Sequence, residues 1–172
     1  MNKIATKIKN RENQKDVFYT PLDLVEVHLE FVKPYIKNGF KLYDPFFGNG
    51  AYYNLYQKHF PNCSYDWTEI TLGKDFFTYN QNCDAIISNP PFSMFNKVLE
   101  KCVSLNPSVI SLIFGVVNLT PKRIEFMEQH GYKIVGYKLV AINDWFSQTI
   151  LLIFSKHGDP CISYVRKNYK IV

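Results

Sequence analysis

Several absences narrow the chemistry of this sequence. Its four cysteines, Cys63, Cys83, Cys102 and Cys161, stand far apart, no Cys-x-x-Cys pair occurs, and the four histidines are equally scattered. Zinc-ligand spacing is therefore missing and no metal is expected. Reduced thiols in the core of an intracellular, cytoplasmic protein are the simplest account. No Gly-Lys-Ser or Gly-Lys-Thr is present, which excludes a P-loop. The N-terminus is charged but has no apolar core segment, so a secretory signal is not expected. No uninterrupted apolar stretch is long enough to span a bilayer, and no membrane partner is expected. Internal repeats and Gly/Ser linkers are also absent. The expected organisation is a basic arm over residues 1–16 and a single catalytic domain over 17–172.

What is present is apolar and rich in rings. Of 172 residues, 47% are hydrophobic, which suits one globular domain with a sizeable core. Aromatics reach 16%, mostly Tyr and Phe. Rings in that number fill a core, and they also stack on bases. The net charge of +5 permits a polyanionic partner without demanding one. The surplus lies toward the ends, at Lys3, Lys7, Lys9, Arg11 and Lys15, and at Arg166, Lys167 and Lys170.

The segments alternate in period. Thr20-Pro21-Leu22-Asp23 predicts a helix start with Thr20 as N-cap, and Leu22, Val25, Leu29 and Val32 recur at helical spacing as far as the Asn38-Gly39 stop. Residues 40–44 (FKLYD) predict a buried strand running into the turn PFFGNG, and 51–60 a helix. Residues 63–67 and 84–88 predict strands, 95–105 an amphipathic helix and 109–117 a central strand. A helix from Thr120-Pro121 to His130-Gly131 follows, then two strands joined through NDWFSQ. Alternating strands and helices with two strands last imply an α/β, Rossmann-like sheet, mostly parallel, with one late antiparallel strand. Ligands of such sheets lie off the carboxyl ends of the strands, where both DPFFGNG (44–50) and SNPPF (88–92) fall.

Each motif favours one kind of ligand. Gly48 and Gly50 let the backbone turn tightly and approach a ligand. Asp44 in front of them would repel a pyrophosphate and attract an ammonium or sulfonium. Glu69, after the second strand, can accept from both hydroxyls of a ribose. Asp75 can accept from an adenine amino group, with Phe76 or Phe77 on the ring. In Asn89-Pro90-Pro91-Phe92, Asn89 Oδ1 and the Pro90 carbonyl are two acceptors for the two hydrogens of an exocyclic amine, whose lone pair is otherwise delocalised into its ring. Phe92 offers a stacking face worth about 1–3 kcal/mol for a base. A diproline turn that merely ends a strand would use the same residues. Lys122 and Arg123 can hold phosphates or form an exposed first helical turn. Trp145 can stack on a base or anchor its own loop.

Taken together, these motifs resemble the S-adenosylmethionine-dependent amino-methyltransferases that act on N6 of adenine. Asn89-Pro90-Pro91-Phe92 is similar to their catalytic signature, Asp44 to Gly50 to their glycine motif, and Tyr19-Thr20-Pro21 to their N-terminal segment. The resemblance implies S-adenosylmethionine as cofactor, Asn89, Pro90 and Phe92 as catalytic residues, and Tyr19, Thr20, Asp44, Phe46, Gly48, Gly50, Glu69, Asp75 and Phe76 as cofactor-binding residues. Thr20 would contact the methionine carboxylate. It implies a nucleic-acid substrate, DNA before RNA, single-stranded or flexible for preference because the base must leave its stack. Lys122, Arg123 and Trp145 would contact it. The motif order, cofactor region first, resembles small phage- or virus-type DNA adenine methyltransferases, which would place the chain in a host cytoplasm.

The chain departs from that family in two ways. It has no room for a target-recognition domain, so a partner subunit is expected to supply sequence recognition. Only five residues separate Glu69 from Asp75, too few for a helix and a strand, so the third strand is expected to be missing or vestigial and the sheet to hold about six strands. Two alternatives share the fold: an RNA or protein-glutamine N-methyltransferase, since an amide nitrogen has the same delocalised lone pair, and a non-catalytic cofactor-binding subunit.

Overall fold

The computed structural model describes residues 19–141 and 148–164. The basic arm and the ring pair Trp145 and Phe146 lie outside the described residues. Six strands form one sheet: β1 (Lys41–Asp44), β2 (Ser64–Trp67), β3 (Ala85–Ser88), β4 (Val109–Gly115), β5 (Lys133–Val140) and β6 (Thr149–Ser155). Their spatial order is β2-β1-β3-β4-β6-β5. β6 is antiparallel to both its neighbours, and the other pairings are parallel. This is the expected Rossmann-like sheet with one late antiparallel strand.

Side-chain alternation along the strands builds two cores. Leu42, Ala85, Ile87, Val109, Ile113, Leu151 and Ile153 face α1 (Leu22–Val32) and α2 (Ala51–His59). Tyr43, Ile86, Ile110, Leu112, Phe114, Ile150, Leu152 and Phe154 face α3 (Phe95–Ser104) and α4 (Pro121–Gln129). β4 is buried along its whole length, as expected of a central strand covered on both faces.

Two expectations for the first helix need correction. Pro21, not Thr20, is the N-cap of α1, and the Thr20 hydroxyl accepts from Asn89 Nδ2 instead. The helix also ends at Val32 rather than near Gly39, because the chain tightens into a 3₁₀ turn over Lys33–Tyr35 around Pro34, which has no N–H to continue the ladder.

Between β2 and β3 the chain forms only two 3₁₀ turns, Ile70–Leu72 and Phe76–Thr78, and an isolated bridge between Glu69 and Lys74. The third strand of a full doubly wound sheet is missing, and β2 is an edge strand. Lys74 sits over its Trp67 ring, 3.7 Å from the centroid.

Register places the functional segments together. Asp44 pairs with Trp67, and Ser88 with Leu112, so the DPFFGNG and SNPPF turns both leave the sheet at its carboxyl edge. Val140 and Gly115 both pair with Thr149, so the connection between β5 and β6 leaves from the same edge.

Candidate active site

The site is built where β1 and β3 end side by side. Asp44 and Ser88, both 0% exposed, close these strands, and Ser88 Oγ donates to Asp44 Oδ1 at 2.6 Å. The Phe46 N–H donates to the same oxygen at 3.2 Å. Asp44 Oδ2 is buried and has no hydrogen-bond partner among the described residues. Burial pushes the Asp44 carboxyl up to about 7, against the lowering effect of the Ser88 and Phe46 hydrogen bonds. Ser88 was not picked out as a site residue by its type. Its position directly before Asn89 was the available signal.

Asn89 is the next residue. Its Nδ2 donates to Thr20 Oγ1 at 3.1 Å, and its Oδ1 is buried without a donor. A buried amide oxygen left open in this way costs free energy unless a ligand fills it. Pro90 is buried, and among the described residues no group donates to its carbonyl, whereas the Pro91 carbonyl accepts the Met94 N–H at 3.4 Å. Phe92 is half-buried and edge-on to Phe95, 6.4 Å between centroids.

The glycine turn lies alongside. Gly48 and Gly50 have φ of 56° and 82°, in the left-handed region that glycine tolerates. A Cβ on Gly50 would stand 2.8 Å from the Phe47 ring, and one on Gly48 3.4 Å from the ring of Tyr19. Tyr19, an exposed ring, thus lies over the turn, and Thr20 lies behind it against Asn89.

Glu69 braces the turn from β2. Its Oε2 accepts the Gly48 N–H at 2.9 Å, and its Oε1 accepts from Thr71 N and Oγ1 at 3.0 and 2.7 Å. Burial alone would raise its pKa, but these bonds outweigh it and hold the carboxyl below the usual range. Asp75 caps the second 3₁₀ turn, accepting from Phe77 N at 2.9 Å.

Phe76 is placed differently from the expectation. It is 2% exposed and packs edge-on to Phe46 at 5.1 Å inside the α3/α4 core, so it supports Phe46 and presents no open face. Phe46 and Phe77 are half-buried and border that core.

Lys122 and Arg123 separate in role. Lys122 is exposed. Arg123 is engaged: Nε donates to Asn96 Oδ1 at 2.8 Å, Nη1 to the Asn118 carbonyl at 2.6 Å, and the guanidinium lies 5.2 Å from the centroid of the Phe95 ring. With Asn96, Leu99, Glu100, Thr120 and Phe126, the pair lines a cleft of about 250 Å³ between α3 and α4.

Sequence reasoning also missed a buried triad. His28 is hydrogen-bonded to Tyr52 OH at Nδ1 and to Ser111 Oγ at Nε2, both at 2.7 Å, one ring nitrogen donating and the other accepting. Its partners lie 24 and 83 residues away, so no local pattern could reveal it.

No family model and no curated protein matches the sequence. Solved structures do. A putative RNA methyltransferase from Pyrococcus horikoshii aligns with 83% of this chain and 89% of its own, at TM-score 0.61 and 15% identity. The structure of an E. cuniculi Mtq2-Trm112 complex, responsible for methylation of the eRF1 translation termination factor, aligns at TM-score 0.58 and 12% identity, over 82% of this chain and 98% of that one. Magnesium protoporphyrin IX methyltransferase from Synechocystis with bound SAM aligns at TM-score 0.55 and 11% identity, covering 90% and 84%. The chain therefore has the Rossmann-like fold of S-adenosylmethionine-dependent methyltransferases.

Proposed function

We propose that this chain transfers the methyl group of S-adenosylmethionine to the exocyclic N6 of adenine in nucleic acid, DNA before RNA. The unpartnered Asn89 Oδ1, buried at the carboxyl edge and followed by Pro90-Pro91-Phe92, carries the reading. An acceptor held in that place without a donor fits an amine that arrives with its substrate.

The residues fit the cofactor. Asp44 Oδ2 is a buried acceptor open to an ammonium, and Gly48 and Gly50 keep side chains out of the turn beside it. Glu69 is ionised and already at the turn, where ribose hydroxyls can replace Thr71 as its donors. Asp75 would accept the adenine amino group of the cofactor. When bound, S-adenosylmethionine supplies an electrophilic methyl on a sulfonium.

The work of the protein is to prepare the acceptor nitrogen. Asn89 Oδ1 takes one hydrogen of N6 and the Pro90 carbonyl the other, which draws the nitrogen toward tetrahedral geometry and frees its lone pair. Phe92 holds the ring by its face. The alkylated nitrogen is acidic and gives its extra proton to solvent, so no strong base is required.

A second reading keeps Asn89 and changes the substrate to a protein side-chain amide. The fold it shares with the Mtq2 complex, whose methylation target is a protein, favours it. That complex also illustrates a methyltransferase of this fold working with a partner, the arrangement we propose for sequence recognition here. One experiment separates the readings: methyl-tritiated cofactor, the purified chain, and in parallel an adenine-containing oligodeoxynucleotide, the matching RNA, and a glutamine-bearing protein. Label recovered as N6-methyladenine from DNA supports the first reading. Label on protein alone replaces it with the second.

A further inference from the structure

Thr20 holds the amide of Asn89 and has a proton to spare. Its Oγ1 accepts from Asn89 Nδ2 at 3.1 Å, and among the described residues nothing accepts its own hydroxyl hydrogen. The residue is only 8% exposed, lies one position before the Pro21 N-cap of α1, and has no hydrogen bond to that helix among the described residues.

A hydroxyl both donates and accepts, and an amide has a nitrogen end and an oxygen end of nearly equal shape. Thr20 alone is therefore satisfied by either end of Asn89. The ambiguity matters because only Oδ1, buried and without a donor among the described residues, can accept from a substrate amine. It disappears once the Thr20 proton is given to another acceptor. The hydroxyl oxygen then offers Asn89 only lone pairs, Nδ2 must face it, and Oδ1 must face the site.

The neighbouring groups say which ligand could do this. Asp44 is one hydrogen bond from Ser88, the residue adjoining Asn89, and its Oδ2 has no donor. The site thus lacks a donor at Asp44 and an acceptor at Thr20. An ammonium beside a carboxylate, the amino-acid end of the cofactor, supplies both.

We propose that Thr20 is a positioning residue through which the carboxylate of the bound cofactor sets the orientation of Asn89. This rests on the reading of Asn89 and of the cofactor given above. The cofactor then binds before the base. A cofactor lacking only its carboxylate still binds, but leaves the amide unset.

The test uses the full chain labelled with ¹⁵N. The Asn89 side-chain amide pair is identified as the one lost in Asn89→Asp. S-adenosylhomocysteine should move one proton of that pair downfield. Its decarboxylated analogue, which keeps the amine, should at saturation leave the pair in place. Thr20→Val should remove the response and, at saturating cofactor, lower kcat by about tenfold or more, with KM for the cofactor raised as well because its carboxylate loses a donor, and Thr20→Ser should recover most of the response and of kcat. An identical response to the two ligands in the unmodified chain overturns the proposal, whatever the fate of the Thr20→Val fold. Failure of S-adenosylhomocysteine to bind at all is a different result, which overturns the cofactor reading and this proposal with it.

Discussion

Ser88 Oγ and Asp44 Oδ1 lie 2.6 Å apart on adjacent parallel strands, both side chains inaccessible to water. On the opposite side of the same balance is His28, also fully buried, whose pKa burial lowers to about 3. Their protons have opposite effects on stability. Folded Asp44 keeps its proton from pH 3.8, the unperturbed value, up to about 7, so its contribution to stability falls as pH rises through that window. His28 stays neutral in the fold while the unfolded chain takes up a proton below 6.5, so its contribution falls as pH drops from 6.5 toward 3. Where the windows overlap the two slopes offset. Asp44→Asn should therefore gain stability relative to the parent as pH rises from 4 to 7, by up to about 1.4 kcal/mol per pH unit. His28→Gln should show the reverse difference. Chemical denaturation across that range reads both; parallel curves for Asp44→Asn and parent would remove the buried proton.

In the function proposed here the same carboxyl meets the ammonium of the cofactor. A cation beside Asp44 favours its ionised form, so binding should release a proton below about pH 7. Affinity for S-adenosylmethionine should rise with pH up to that point and level off above it. Calorimetry in buffers of different ionisation enthalpy counts the proton directly, and Asp44→Asn should abolish both the release and the pH slope.

For Asn89 the expectation is kinetic. In the proposed reaction its Oδ1 would strengthen its hydrogen bond as the amine nitrogen becomes tetrahedral, so Asn89→Ala should lower kcat by about 10²-fold or more. Cofactor affinity should change little. Equal losses in both would make Asn89 a structural residue.

These elements differ in how far they could be read from the chain. The helices and strands were legible because apolar residues recur at their periods and the ends carry Pro, Gly and Asn. The missing strand was legible from arithmetic, since five residues cannot hold a helix and a strand between Glu69 and Asp75. Thr20 was misread because Thr-Pro before an apolar helix has the same local form whether the hydroxyl caps the helix or reaches a residue 69 positions away. Phe76 and Phe46 were indistinguishable as residue types, and only packing shows Phe76 inside and Phe46 at the border. His28 with Ser111, and Arg123 with Asn96 and Asn118, depend on tertiary contacts that leave no periodic trace.

Glu69 and Asp75 should contribute to cofactor binding to different degrees. Glu69→Ala removes the brace on Gly48 as well as the proposed ribose acceptor, so it should weaken S-adenosylmethionine and S-adenosylhomocysteine alike and loosen the turn. Asp75→Ala removes the proposed adenine acceptor and the cap of a short 3₁₀ turn, and should also weaken both ligands. Unchanged calorimetric affinity in Asp75→Ala would show that the shortened segment places the adenine elsewhere.

Lys122 and Arg123 are adjacent in sequence, and their substitution should nevertheless give different results. Lys122 is exposed in the first turn of α4, near the carboxyl edge where the base would enter. If it contacts one phosphate, Lys122→Ala should reduce the slope of log affinity against log salt by about 0.9 for duplex DNA or 0.7 for a single strand, without altering the melting temperature. Arg123 ties α4 to Asn96 of α3 and to Asn118, and lies on the Phe95 ring. Arg123→Ala leaves the Asn118 carbonyl without that donor in a partly buried place, whereas the exposed Asn96 Oδ1 is taken over by solvent, so it should lower stability by about 1–3 kcal/mol. Because α3 begins directly after Phe92–Met94, that loosening should also raise KM for nucleic acid. A salt slope unchanged in Lys122→Ala moves the phosphate path away from α4, and a full melting temperature in Arg123→Ala would mean that its three contacts are replaced by solvent without cost.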